Sequence, residues 1–284
     1  NDIDAWIIYD YECTNPALLG LFGKRMLTRK CYVVFEKNNS KYILCHSIDE
    51  VNLKDLSVDF KIITYKTWTE LLELIASKFK YNKVIMEISE DGMLPRSSTV
   101  DYGTVSLIKK YVKEVISSAN PLQHFSAKVE GEALELYQKA CGLVNMIKDE
   151  AFNLISRKLK QNELINEYEV QQFIMQRFAE CNMITDSDPI VAVNNHAGDP
   201  HYAPSKNNYA YIRPGDLVLI DLWAKINHPL GVFGDITWIG YVGDIIPTEI
   251  QKIFDVVKES IEVTLNFLNE ELPKRVVYGY EVDD

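Results

Sequence analysis

From residue 5 to about 118, short apolar runs alternate with segments of helical period, the pattern of an α/β layer. Strand-like runs fall at 5–9, 31–36, 41–46, 60–65 and 83–88. Residues 68–79 read as a helix, with Leu71, Leu72, Leu74, Ile75 and Phe79 along one broad side. Residues 117–125, containing Asn120 and Pro121, read as a linker, which separates a first domain, 1–122, from a second, 123–284. Beyond it the pattern changes. Ala133, Leu136, Ala140, Val144, Ile147, Ala151 and Leu154 recur at spacings of three and four, which predicts one long packed helix. A second helix opens at Asn166, a capping residue with Glu169 three positions on, and carries Val170, Phe173, Ile174 and Phe178 toward Cys181. Strands are predicted at 189–194, 216–226 and 235–242, and a third helix from 248 to about 271, bracketed by Pro247 and Pro273.

Two of these strands carry carboxylates. Asp221 lies in the apolar run Leu217-Val218-Leu219-Ile220-Asp221-Leu222-Trp223, and Asp235 opens Gly234-Asp235-Ile236-Thr237-Trp238. Between them Asn227-His228-Pro229-Leu230-Gly231 supplies turn-formers, so the runs fold back as an antiparallel hairpin. A reversal centred on His228 makes Asp221 and Asp235 cross-strand neighbours. Facing carboxylates on an apolar ribbon repel, and burying either one unpaired is costly. A hard divalent cation, which prefers oxygen ligands, resolves that cost.

Composition narrows the classes. At 284 residues and 47% hydrophobic content the chain can bury a large core as one large domain or two. No run approaches the roughly 20 apolar residues that span a bilayer, and the first residues lack the basic-then-apolar order of a secretory signal, so the expectation is a cytoplasmic protein with no membrane partner. A net charge of -11 argues against nucleic acid as a partner. Cys13, Cys31, Cys45, Cys141 and Cys181 are odd in number and form no CxxC pair, which reads as reduced, mostly buried thiols. Trp6, Trp68, Trp223 and Trp238 read as packing residues, Lys109, Lys110 and Lys113 as a solvated helix end, and Glu281, Asp283 and Asp284 as a solvated acidic tail.

The polar stretch 194–204 follows one predicted core strand and precedes another, and loops so placed are where sites are built. It contains His196 and His201. His201-Tyr202, then Pro214-Gly215-Asp216-Leu217-Val218-Leu219-Ile220-Asp221-Leu222-Trp223-Ala224-Lys225, then Gly234-Asp235-Ile236-Thr237-Trp238, taken together, resemble the metallopeptidases of the creatinase and methionine-aminopeptidase fold. Within that pita-bread fold the motifs look most like Xaa-Pro dipeptidases and Xaa-Pro aminopeptidases, and Asn166-Glu167-Tyr168-Glu169-Val170 is similar to the opening of their second catalytic-domain helix.

The resemblance implies an α/β chain with a creatinase-like N-terminal domain and the first half of a pita-bread catalytic domain. It implies that Asp221 ligates one divalent metal ion, that Asp235 bridges two, and that His201 stabilises the tetrahedral intermediate on the scissile carbonyl. Mn is the implied metal, with Co or Zn as alternatives. The implied substrate is a short peptide with proline at its second position, and the implied assembly is a homodimer. Such enzymes complete the site with a His and two Glu from the second half of the fold, whereas this sequence, which opens at Asn1 and ends in Tyr278-Gly279-Tyr280-Glu281-Val282-Asp283-Asp284, reads as a piece cut short of them. Two carboxylates fall short of the roughly six donors a Mn-like ion prefers, so weak metal binding, little catalysis and an uncovered apolar surface are expected of the piece. Two other readings stand beside this one. A non-catalytic binding module on the same fold predicts loss of the ligand residues, and retention of Asp221, Asp235 and His201 counts against it. A metal-free creatinase-like amidinohydrolase has no need of paired aspartates.

Overall fold

The computed structural model describes residues 2–92 and 94–283; Asn1, Met93 and Asp284, the last a member of the acidic tail, lie outside the described residues. Contacts divide the chain into two compact units, Asn1–Lys128 and Val129–Asp284.

The first unit is built on six strands, β1 (Ala5–Asp10), β2 (Cys31–Glu36), β3 (Lys41–His46), β4 (Lys61–Tyr65), β5 (Lys83–Met86) and β6 (Glu114–Ser117), in the order β4-β3-β2-β1-β5-β6. The β1/β2 and β2/β3 pairs are antiparallel, and β3/β4, β1/β5 and β5/β6 are parallel. Successive side chains of β1 part to opposite faces: Ile7 joins one core with Leu71, Ile75, Phe79 and Ile108, and Ile8 joins another with Leu18, Leu53 and Phe60. Both faces are therefore covered, which explains why the central strands read as unbroken apolar runs. Helices α1 (Pro16–Phe22), α2 (Trp68–Lys78) and α3 (Tyr102–Ile108) supply parts of that cover.

The stretch read as a linker is instead the end of β6 and a helix, α4 (Ala119–Ser126). Pro121 occupies its third position, within the first turn, where backbone N–H groups have no intrahelical partner and a missing one costs nothing. The tryptophan reading also needs correction. Trp6 packs on the core, but Trp68 and Trp238 are exposed, and the Lys148 ammonium lies 4.2 Å from the Trp238 ring centre. All five cysteines are free thiols, but only Cys31 and Cys45 are buried, and burial pushes both thiols up. The acidic tail is helical over Tyr280–Asp283, with Arg275 paired to Glu281.

The second unit opens with α5 (Glu132–Lys160), whose Ala140, Val144, Ile147 and Ala151 are buried as predicted, while Ala133, Leu136 and Leu154 are half-buried and Ile155 takes the buried place expected of Leu154. Asn166 caps α6 (Glu167–Glu180) by accepting the Glu169 N–H at 2.9 Å. Strands β7 (Met183–Ile184), β8 (Ile190–Val193) and β10 (Gly234–Tyr241) all pair antiparallel with β9 (Leu217–Ile226). Along β9 buried and half-buried positions alternate: Val218, Ile220, Leu222 and Ala224 enter one core with α5 and α6. Helix α7 (Thr248–Glu271) has the predicted bounds and buries none of its residues. Among the described residues no helix is long and apolar enough to cross a membrane.

Candidate active site

Asp221 and Asp235 sit on the face of the β9–β10 hairpin opposite the core. The register differs from the predicted one. Asp221 pairs with Thr237 and Asp235 with Trp223, because the turn places two hydrogen-bonded reversals in series, His228 N–H to Ile226 O at 2.7 Å and Gly231 N–H to His228 O at 2.9 Å. Gly231 is required there, since a Cβ would stand 2.3 Å from the Ile226 carbonyl oxygen. The displacement is two residues, and the strand period is two, so the aspartates remain on one face as diagonal neighbours.

Three details shape this pair. Thr237 Oγ1 donates to Asp221 Oδ1 at 2.8 Å and fixes that carboxylate. A Cβ on Gly234 would lie 2.8 Å from Cys141 N and 2.9 Å from Ala140 C, so β10 rests directly on α5 at the residue before Asp235. The Asp235 carboxyl is held above the usual carboxylate range, first by partial desolvation and then by the Asp221 charge, although its side chain is open to water. A cation between them would lower both energies at once. That is the donor chemistry a hard divalent ion needs, and it supplies part of a ligand set. Among the described residues no group of three or more His, Cys, Asp and Glu side chains is arranged to hold a metal ion, so His201 is not gathered with the two aspartates into one cluster.

His201 is exposed on the segment between β8 and β9, its backbone N–H donating to Asp199 Oδ1 at 2.9 Å. The start of this segment is a 3-10 turn, Asn194–Gly198, latched to β9 through Asn194: its Nδ2 donates to Asp216 Oδ1 at 2.8 Å, and its Oδ1 accepts the Leu217 N–H at 2.9 Å. His228 lies in the hairpin turn, with Nδ1 accepting the Leu230 N–H at 3.3 Å.

A buried polar cluster in this unit was not apparent from sequence. Glu167, at the start of α6, is fully buried and gathers Val193 N, His196 Nδ1, the Tyr202 hydroxyl and Ala210 N around its carboxylate. The His196 ring stacks on Tyr202 with centroids 4.2 Å apart. Burial, and then the bond to Glu167, raise the Tyr202 hydroxyl above its ordinary range. A glutamate at the second position of a capping sequence reads as helix-dipole decoration, and only the fold brings partners from 26 to 43 residues away.

The sequence signature of metallopeptidase family M24 matches residues 135–277, and the chain belongs to that family. Solved structures of the same fold include the prolidase from Pyrococcus horikoshii OT3, 21% identical with a TM-score of 0.56, over 92% of this chain and 67% of that one. The Xaa-Pro dipeptidase from Bacillus anthracis is 17% identical with a TM-score of 0.56, over 91% and 65%. The X-prolyl aminopeptidase from Caenorhabditis elegans, described as a cytosolic enzyme with a di-nuclear active site, is 14% identical with a TM-score of 0.53, over 87% and 39%. At these identities the likeness is one of fold, and the chain spans about two thirds of the length of the first two. No curated protein sequence matches it.

Proposed function

We propose that the chain carries the first half of the active site of a metal-dependent exopeptidase that hydrolyses Xaa-Pro bonds in short peptides, as a dipeptidase or an aminopeptidase. The observation that carries this reading is the placement of Asp221 and Asp235 on one solvent-facing side of a hairpin whose other side is core. Family membership supports the peptidase class, and the names of the fold relatives support proline at the second substrate position. Asp221 would hold one divalent ion and Asp235 would bridge to a second, with Mn, Co or Zn as the metal. When bound, such ions activate water and polarise the scissile carbonyl. Thr237 keeps the Asp221 carboxylate turned to the open face. Hairpin strands hold such ligands more tightly than loops do. His201 would donate a hydrogen bond to the carbonyl oxygen as it gains charge in the tetrahedral intermediate. A cytoplasmic homodimer remains the proposed setting.

The test is release of free proline from Ala-Pro, with added Mn, by this half of the site joined to the remaining His and Glu ligands. Asp235→Asn is expected to lower turnover by more than about 100-fold, beyond what loss of an outer-shell partner costs. Wild-type turnover in that variant would overturn the two-metal assignment, and cleavage restricted to peptides without proline would overturn the substrate.

A further inference from the structure

Glu167 is the one fully buried carboxylate of the second unit among the described residues. Its Oε1 accepts the Val193 N–H at 2.7 Å and lies 2.9 Å from His196 Nδ1; its Oε2 accepts the Tyr202 hydroxyl at 2.5 Å and the Ala210 N–H at 2.6 Å. Val193 and Ala210 offer obligate backbone donors, one to each oxygen, so both oxygens act as acceptors. The hydrogen shared with His196 therefore sits on Nδ1. A neutral His196 ring is then the Nδ1–H tautomer, with its lone pair on Nε2 and the ring half-buried against Tyr202.

The same four contacts bracket His201. Val193 precedes it, Tyr202 follows at once, and Ala210 closes the segment, while Asn194 ties the near end to Leu217 on the strand that carries Asp221. One carboxylate thus sets the path of the backbone on both sides of His201. A carboxylate gripping one nitrogen of an imidazole is also how proteins fix the tautomer of a histidine whose other nitrogen works.

We propose that Glu167 is a positioning residue of the site: it fixes the segment that carries His201 and holds His196 as the Nδ1–H tautomer, so that Nε2 accepts a hydrogen bond from an N–H of a peptide substrate. The substrate half of this assignment rests on the peptidase reading above; the tautomer half does not.

The experiment has two readouts, ring-nitrogen NMR on this chain and turnover once the remaining His and Glu ligands complete the site. Ring-nitrogen NMR near neutral pH is expected to find His196 with a protonated Nδ1 and a bare Nε2, and Glu167→Ala, which removes the acceptor, abolishes that signature. Turnover of Ala-Pro with Mn is expected to fall about 10- to 100-fold in kcat for Glu167→Gln. His196→Asn keeps an N–H donor for Glu167 and lacks Nε2, so its loss appears as a KM raised about 10-fold, with kcat changed less, the mark of a contact made equally in ground and transition states. Nε2–H in the wild type overturns the proposal even if Glu167→Ala does not fold. Wild-type kcat and KM in His196→Asn overturn the substrate contact. A completed site with the expected signature that cleaves no Xaa-Pro peptide overturns the peptidase reading and leaves the tautomer assignment standing.

Discussion

The two sheets of this chain solve the same problem to different extents. In the first unit every central strand is covered on both sides, Ile7 in one core and Ile8 in the other. In the second, β9 covers one side only: Ile220 and Leu222 are fully buried, while Asp221 and its row face out, and Ile239 of β10 is exposed. Helix α7 extends the contrast, with Ile253, Phe254, Ile261 and Leu265 all exposed. A sheet closed on both sides has no room for chemistry. The half-covered sheet has a rigid back and an open front, and the charged pair lies on the front.

The largest expected effect that tests this contrast is in the covered side of the hairpin. Ile220→Ala should cost about 2–5 kcal/mol through lost burial and a cavity, whereas Ile239→Ala on the open row should stay within about 0.5 kcal/mol. Urea unfolding of the two variants decides the matter, and equal costs would mean that the front is covered after all. A smaller effect belongs to the contact between hairpin and helix. Gly234→Ala drives a methyl against the α5 backbone and should cost about 1–3 kcal/mol, and, on the metal role proposed for Asp235, with it some affinity for Mn. Calorimetry with Mn alone reads that second loss, and unchanged stability would show that β10 does not rest on the helix.

The smallest effect lies in the closed unit and is a slope with pH. Glu87 is buried among the donors of Trp6, Asn15 and Ser118, and its carboxyl is raised from the usual 4.5, chiefly by desolvation and against the pull of those hydrogen bonds. The folded state then holds the proton more tightly than the unfolded chain. Stability contributed by this group is complete below the unfolded value and declines as pH rises from about 4.5 through the raised one. The urea midpoint of the first unit is expected to drop over that window in the wild type and to be flatter in Glu87→Gln. A wild-type midpoint that climbs there would reverse the sign.

What the sequence made legible follows from how far each signal reaches. Helix α7 was bounded by its flanking prolines, and α5 by its spacing, because both signals are local. The shared face of Asp221 and Asp235 was legible from strand alternation, yet their register was not, since it depends on hydrogen bonds inside the turn at His228 and Gly231. Helix α4 was hidden because Asn120 and Pro121 suit a loop as well as a first turn. Glu167 and His196 escaped because their meeting, 29 positions apart, is a product of β8 lying against α6.

The displaced register carries a consequence for how such a site can change over generations. A strand that slips by two residues returns each side chain to its own side, while a slip of one sends a whole row through to the other. A slip of two leaves Asp221 and Asp235 on the same open side, whereas a slip of one turns Asp235 into oil while β9, held by its own buried row and by β8, keeps Asp221 in daylight. The ribbon therefore behaves as a switch with two positions and no halfway setting, and rearrangements of the turn at 227–233 either keep the pair intact or erase it in one stroke.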